Sequence, residues 1–410
     1  MKADDFRNSP SGRLVPTIEG EQAFVPNPLP PRLDLARLAE PMHDAALALG
    51  SLDGLGRALP DPTLLVRSFA RVEAVASSKI EGTVTSVPEL LALELSPNAP
   101  RIRNDTREVN NYSRALNRGL ELIKTLPICT RLFCELHSVL MDGVRDERGL
   151  QVKPGEFKTH QNWIGARLLK NARFVPPPPE QATRALGDLE QFINRGNGDH
   201  KLPLLIELAL MHYQFETIHP FPDGNGRVGR LLIPIMLCQR QAMAQPLLYL
   251  SAYFEKYNDE YIDRMYAVSQ SGAWEYWIEF FLRGVTASAR SGIKKANALQ
   301  DLRRSYMERV QSVRSSALLA KIIDKLFATP ATTIPYAVKD LGISYNAAKN
   351  NIEKLVDLKI LSHNPGNDER PQWFFCWDII AVTSSPDDYE EPSATINKTA
   401  TEPSKQEELF

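Results

Sequence analysis

Apolar positions recur three and four residues apart in one segment after another, the pattern of helices that each bury one face. The first such run is Leu33 to Gly50, and the second is Pro62 to Ile80, opened by an Asp-Pro start signal. Helical spacing continues through Asp105–Leu126, Thr130–Gly143 and Glu180–Arg195. Leu202–Thr217 and Arg227–Met243 are apolar on nearly every turn, which predicts two helices buried all round. Pro246–Leu282 is strongly aromatic at the same spacing and reads as two helices packed into a core. Thr286–Arg314 continues as a long helix whose second half is charged, a connector to a separate unit.

Strand patterning is sparse by comparison. Phe157, Trp163 and Ile164 punctuate a polar segment that returns through Ala172–Val175, predicting a short hairpin closed by Pro176–Pro179. Near the C-terminus, helices at Ala317–Phe327, Thr333–Leu341 and Tyr345–Leu358 precede two expected strands, Ile360–Ser362 and Gln372–Trp377, around a polar Asn364–Arg370 tip. This order resembles a winged helix-turn-helix. Residues 1–31 are polar and proline-marked and read as a surface strap. Residues 384–410 are rich in Pro, Ser, Thr and Glu, the composition of a disordered tail. The expected fold class is mainly α. It is divided into an N-terminal region (1–110), a helical core (111–290), a connector with winged helix (291–383) and the tail.

Composition narrows the function classes. A formal net charge of −2 gives no global field for nucleic acid or an anionic membrane. No apolar run is long enough to span a bilayer, and the first residues lack the apolar core of a signal peptide. The four cysteines, Cys129, Cys134, Cys238 and Cys376, fit neither a zinc spacing nor a disulfide framework, so a reducing cytoplasm is the expected location. In the second helix of the helix-turn-helix, Lys349 and Lys354 are offset by Glu353 and Asp357. That balance favours protein docking or homodimerisation over DNA binding.

The chemistry is concentrated between the two core helices, in His219-Pro-Phe-Pro-Asp223-Gly224-Asn225-Gly226-Arg227-Val228-Gly229-Arg230. The prolines hold an extended bend, and a helix is expected to open between Gly224 and Arg227. A helix start offers backbone N–H groups without intrahelical partners, and glycines let an anion approach them closely. Arg227 and Arg230 lie near one helical face, with guanidinium forks that match phosphate oxygens. Asp223 is a hard oxygen ligand for Mg²⁺, and His219 is a base with an ordinary pKa of about 6.5.

This stretch resembles the signature of Fic-domain proteins, His-x-Phe-x-Asp/Glu-Gly-Asn-Gly-Arg-x-x-Arg, at every fixed position. The resemblance implies a Fic-type helical core and transfer of AMP from ATP, with Mg²⁺, onto a Tyr, Thr or Ser hydroxyl of a target protein or of the enzyme itself. His219 would be the base and Asp223 the metal ligand. Gly224, Asn225, Gly226, Arg227, Val228, Gly229 and Arg230 would form the nucleotide site. Tyr261, and more weakly Ile262, would wall the adenine pocket. The hairpin would be a flap over the site.

A second family element precedes the core. Ser77 and Glu81, followed by Gly82, fit the inhibitory pattern Ser/Thr-x-x-x-Glu-Gly/Asn. In proteins that carry it, the Glu pairs with the last Arg of the signature, here Arg230, and displaces the γ-phosphate. The competing expectation is a transcription regulator whose Fic-like core only senses nucleotide.

Overall fold

A computed structural model describes residues 1–58, 62–96, 104–144, 153–165, 168–195, 202–311, 317–363, 372–385 and 389. The expected strap, its Asn364–Arg370 counterpart at the wing tip and the tail fare differently. The wing tip and nearly all of the tail lie outside the described residues. The strap is structured: a 3₁₀ turn at Ala3–Phe6 leads to antiparallel strands β1 (Gly12–Pro16) and β2 (Gln22–Pro26). Ala23–Pro26 of β2 are all buried, and Phe24 packs against Phe6 and Phe174 in a small aromatic cluster.

The helices follow in order: α1 (Ala39–Ala58), α2 (Thr63–Ile80), α3 (Val87–Leu95), α4 (Asn104–Leu122), α5 (Thr130–Leu140), α6 (Pro179–Asn194), α7 (Leu204–Ile218) and α8 (Asn225–Gln239). Helix α3 was not expected. Its start is a full capping box, in which Ser86 accepts from the Glu89 N–H while Glu89 accepts from the Ser86 N–H. After α8 come α9 (Ser251–Lys256), α10 (Asn258–Ser271) and α11 (Trp274–Gln311). The last aromatic segment and the charged connector are thus one 38-residue helix. Its apolar first half is buried against α7, where the Trp277 indole N–H donates to the Ala209 carbonyl at 2.9 Å.

Helices α7 and α8 are the centre of the molecule. Nearly every residue of α7, and α8 from Asn225 to Leu237, is buried, so both run through the core. Burying an aliphatic side chain contributes roughly 1.5–3 kcal/mol, and this pair buries many of them. The loop between them, residues 219–224, is therefore clamped at both ends by packed helix.

The C-terminal unit comprises α12 (Ala317–Ala328), β3 (Ala331–Thr333), α13 (Ile334–Leu341), α14 (Tyr345–Asp357), β4 (Ser362–His363), β5 (Trp373–Phe375) and α15 (Trp377–Ser384). The three strands form an antiparallel sheet in the order β3-β5-β4. Thr333 and Ser344 cap α13 and α14 by accepting from Tyr336 and Ala347 N–H groups, and Gly342 turns between them at φ 64°. Beyond α15, Tyr389 is buried with its ring 5.3 Å from that of Tyr253.

Among the described residues, the expected hairpin over residues 157–175 shows one bridge, Ile164 with Phe174. Its first arm is held to the His219 loop instead. The Lys158 N–H donates to the Pro220 carbonyl at 2.9 Å, and the Asn162 amide donates to both the His219 and Phe221 carbonyls at 3.0 Å. Bonds made to that loop are not available for a ladder.

Candidate active site

Helix α7 ends at His219 in the left-handed conformation, φ 49° and ψ 59°, an uncommon geometry for a residue with a side chain. The chain is kept there by the apolar seats around it. Phe221 is fully buried, stacked on the His137 ring at a centroid distance of 3.9 Å. The Asn225 side chain then closes the turn, accepting from the Phe221 N–H and donating to the Phe221 carbonyl, each at 2.8 Å. Gly224, at φ 74°, provides the left-handed step from which α8 starts.

The His219 imidazole is oriented by its own helix. Nδ1 lies 3.2 Å from the Glu216 carbonyl, and only a protonated Nδ1 can bond there. The lone pair is consequently on Nε2. Burial, and then the nearby Lys158 ammonium, push the imidazole pKa down to about 4, so the ring is neutral at physiological pH. Lys158 is itself buried, and burial lowers its pKa to about 7. Its Nζ donates to Asn162 Oδ1 at 2.7 Å.

Asp223 is the exposed carboxylate of the loop, with 43% of its side-chain surface accessible. Its Oδ1 accepts the Gly224 N–H at 2.6 Å and lies 3.8 Å from the Arg227 guanidinium. Among the described residues no group of three or more His, Cys, Asp or Glu side chains could hold a metal by itself. One open carboxylate beside an anion site fits Mg²⁺ that arrives on a polyphosphate, because that ion is commonly held by one or two carboxylates together with phosphate oxygens.

Arg227 and Arg230 are buried at the start of α8. Arg227 donates to Glu108 Oε2 at 2.9 Å. Arg230 is engaged by the end of helix α2: Nε donates to Ser77 Oγ at 2.8 Å, and Nη2 donates to the Ser77 carbonyl at 2.9 Å and to Glu81 Oε1 at 2.6 Å. Burial pushes the Glu81 carboxyl up, yet the Arg230 charge and bond, helped by Arg227, outweigh it and hold the pKa below the usual value. Glu81 also reaches the helix start itself. A Cβ added at Gly226 would lie 2.1 Å from Glu81 Oε1. The carboxylate therefore rests where an anion approaching the first turn of α8 would sit.

Several expected nucleotide residues are placed elsewhere. Val228 is fully buried, and its N–H already makes the first intrahelical bond, to the Gly224 carbonyl at 3.0 Å. Gly229 faces away, toward Glu216, whose Oε1 would lie 2.2 Å from an added Cβ. Tyr261 is 3% exposed, stacked on Phe254 with its hydroxyl 2.8 Å from His212 Nε2. It lies behind Arg230 in the core rather than on an open wall. Asn225 is committed to the loop, and its contribution to the helix start is its backbone N–H. Ile262 is partly buried beside that core.

Residues that motif reading missed complete the site. His137, Asn162 and Lys158 hold the loop, and Glu108 holds Arg227. Glu216 is half-buried, and its buried Oε1 has no hydrogen-bond partner among the described residues. Burial raises its pKa to about 8, with Arg230 opposing and Glu81 adding to the shift, so its carboxyl is protonated at neutral pH. Its only signal was an acid near the C-terminal end of a largely apolar core helix.

An aromatic-backed helical core whose central helix presents a buried arginine and a glycine-lined start beside a neutral histidine defines an anion-handling site. Residues 39–121 match the model of the Fic/DOC family N-terminal region, and residues 127–237 match the Fic/DOC family model. The chain carries both regions of a Fic protein. The protein adenylyltransferase Fic of Drosophila virilis is 28% identical over 144 residues, covering 33% of this chain and 27% of that protein. A probable protein adenylyltransferase of Aquifex aeolicus is 27% identical over 177 residues, covering 42% of this chain and 48% of that protein. The matches thus span about a quarter to a half of these relatives. In fold, a Fic family protein from Desulfovibrio desulfuricans G20 superposes with a TM-score of 0.53 at 17% identity, over 85% of this chain and 98% of that one.

Proposed function

We propose that this protein transfers AMP from ATP to a Tyr, Thr or Ser hydroxyl of a protein, itself included, and that Glu81 restrains the reaction. The observation that carries the catalytic reading is the state of His219, neutral and with its Nε2 lone pair unused at the head of an anion-binding helix start. The Fic adenylyltransferases matched by sequence support the same chemistry.

In this reading, the α- and β-phosphates lie over the N–H groups of Asn225, Gly226 and Arg227, with Arg227 bearing on their oxygens and Arg230 on those of the γ-phosphate. Nε2 of His219 takes the proton of the target hydroxyl as its oxygen bonds to the α-phosphorus. The bond to the β-phosphate oxygen breaks and pyrophosphate leaves, while the helix start stabilises the charge that develops. Mg²⁺, held on its open side by Asp223, would neutralise phosphate charge during this displacement. The loop bonds of Asn162, His137 and Asn225 keep the histidine and helix start in fixed relation.

Restraint follows from the pairing of Glu81 with Arg230. While the carboxylate occupies that fork and the space over Gly226, the γ-phosphate has no arginine and the α-phosphate is misaligned. The C-terminal unit, with two capped helices and a three-stranded sheet, is consistent with a winged helix. The mixed charges of α14, including the Lys349–Glu353 pair at 3.7 Å, favour a protein partner for it over DNA.

The test is incubation of the protein with Mg²⁺-ATP, alone and with a cell lysate, followed by mass spectrometry for an AMP adduct. Adducts that are absent with His219→Ala support the proposal. Nucleotide binding without any adduct would favour a sensing role instead.

A further inference from the structure

Helix α2 presents two functional stripes. Glu73, Ser77 and Glu81, spaced four apart, face the catalytic core. Ser77 and Glu81 hold Arg230, as described. Glu73 is buried one turn deeper, accepting from the Tyr112 hydroxyl at 2.8 Å, the Ser251 N–H at 3.1 Å and the Ser251 hydroxyl. The other stripe, Ser68, Arg71, Val72 and Val75, faces the C-terminal unit. The Ser68 hydroxyl donates to the Phe327 carbonyl at 2.8 Å, and Arg71 Nη1 donates to the Ala328 carbonyl at 2.6 Å. Both acceptors are at the C-terminal end of α12, where carbonyls lack intrahelical partners and a cation is favoured. Glu94 of α3 grips the same guanidinium through two bonds of 2.7 Å. Val72 and Val75 pack into one apolar cluster with Val87 and Leu91 of α3 and with Ala331, Phe375 and Ile380 of the C-terminal unit.

These contacts make α2 the shared wall between the two halves of the molecule. We propose that Arg71 is a positioning residue for the inhibitory glutamate, clamping α2 to the C-terminal unit so that Glu81 stays on Arg230, and that displacing this unit releases the restraint. The regulatory part rests on the adenylyltransferase reading above, whereas the mechanical part does not. A helix held on both faces has one position. Remove the outer hold, and its last turn rests on the Glu73, Ser77 and Glu81 contacts, on the Lys79–Glu255 ion pair at 2.7 Å and on apolar packing against the core. That turn ends at Gly82, φ 85°, beyond which the Thr83 N–H still donates to the Ser78 carbonyl at 3.0 Å, while the Thr83 hydroxyl and the Val84 N–H bond to the Glu108 and Asp105 carboxylates of α4. A partner that engages the C-terminal unit would thereby gain control of the active site without touching it.

The experiment compares full-length wild type, Arg71→Ala and Glu94→Gln by hydrogen–deuterium exchange and by auto-transfer of AMP. Glu94→Gln keeps the shape of the α3 contact but weakens the grip on Arg71, and so serves if Arg71→Ala folds poorly. Losing a charge-assisted contact should speed amide exchange in residues 77–83 about tenfold in Arg71→Ala, and a few-fold in Glu94→Gln, with α7 amides unchanged. Unchanged exchange in 77–83 in a folded variant overturns the clamp. Auto-transfer should rise a few-fold in Arg71→Ala but not rise further when Arg71→Ala is added to Glu81→Gly. A fall in rate in both backgrounds would mean a merely structural role and also overturn the proposal. If Glu81→Gly alone leaves the rate unchanged, the inhibitory reading fails, and the exchange data still decide whether Arg71 positions α2.

Discussion

Replacing Glu81 with glycine should turn a slow transferase into a faster one, and the structure bounds the gain. The substitution removes one charge-assisted bond, Arg230 Nη2 to Glu81 Oε1 at 2.6 Å. Bonds of this kind contribute roughly 1.5–3 kcal/mol. Arg230 is 2% exposed, but the Glu81 side chain is 36% exposed, and solvent screening moves the estimate toward the lower figure. At about 1.4 kcal/mol per factor of ten, the freed fork should raise the transfer rate about tenfold. The Ser77 bonds to Arg230 survive the change and keep the guanidinium in place to receive a phosphate. Arg230→Ala should not reproduce the gain, because it removes the phosphate contact along with the anchor of the inhibitor. In the Arg230→Ala background, Glu81→Gly should restore little. The assay is the initial rate of auto-transfer for wild type, both single variants and the double variant at saturating Mg²⁺-ATP. Equal rates for wild type and Glu81→Gly would refute the reasoning and leave the Glu81–Arg230 pair as a structural ion pair.

Two further changes probe the same pocket. Gly226→Ala would place a Cβ 2.1 Å from Glu81 Oε1 and so should loosen the inhibitory contact, yet transfer should not rise, since that methyl also crowds the phosphates. Calorimetric titration with ATP should show weakened binding, and a Gly226→Ala rate matching Glu81→Gly would contradict this placement. Glu216 provides a pH test. Its pKa is raised to about 8 in the folded protein, against an ordinary 4.5. A raised carboxyl pKa contributes stability below the unfolded value that is lost as pH climbs toward the folded one. The stability of Glu216→Gln relative to wild type should therefore grow by up to roughly 1.4 kcal/mol per pH unit between about pH 4.5 and 8, then level off. Thermal unfolding at intervals across that range measures it, and parallel profiles for the two proteins would show that Glu216 does not titrate this way.

How much was legible in the sequence depended on where the determining contacts lie. Helix periodicity located α7 and α8 because each is apolar through several turns, and the signature located the loop because its prolines and glycines act locally. Ser77 and Glu81 were legible as a pair since both contacts to Arg230 come from one helix face. The side chains that fix the site from a distance were not. Asn162 and His137 meet the loop only through the fold, across 57 residues from Asn162 to His219 and 86 from His137 to Asp223. Motif membership also did not show which way each residue faces. Val228, Gly229 and Tyr261 belong to the motif neighbourhood but pack inward, because a helix start shows only one side to the cleft. The single β-bridge described at the expected flap has a related origin, since Lys158 and Asn162 of its first arm bond to the His219 loop.

The most direct test of AMP transfer is the position of the transferred phosphate. Glu81→Gly protein incubated with Mg²⁺-ATP labelled at the α-phosphorus should become covalently labelled, whereas ATP labelled at the γ-phosphorus should leave it unlabelled. His219→Ala placed in the same background should take up neither label. Incorporation from the γ-position would instead mean phosphoryl transfer, and no incorporation from either, with ATP bound, would contradict the account of His219 as a base acting at the start of helix α8.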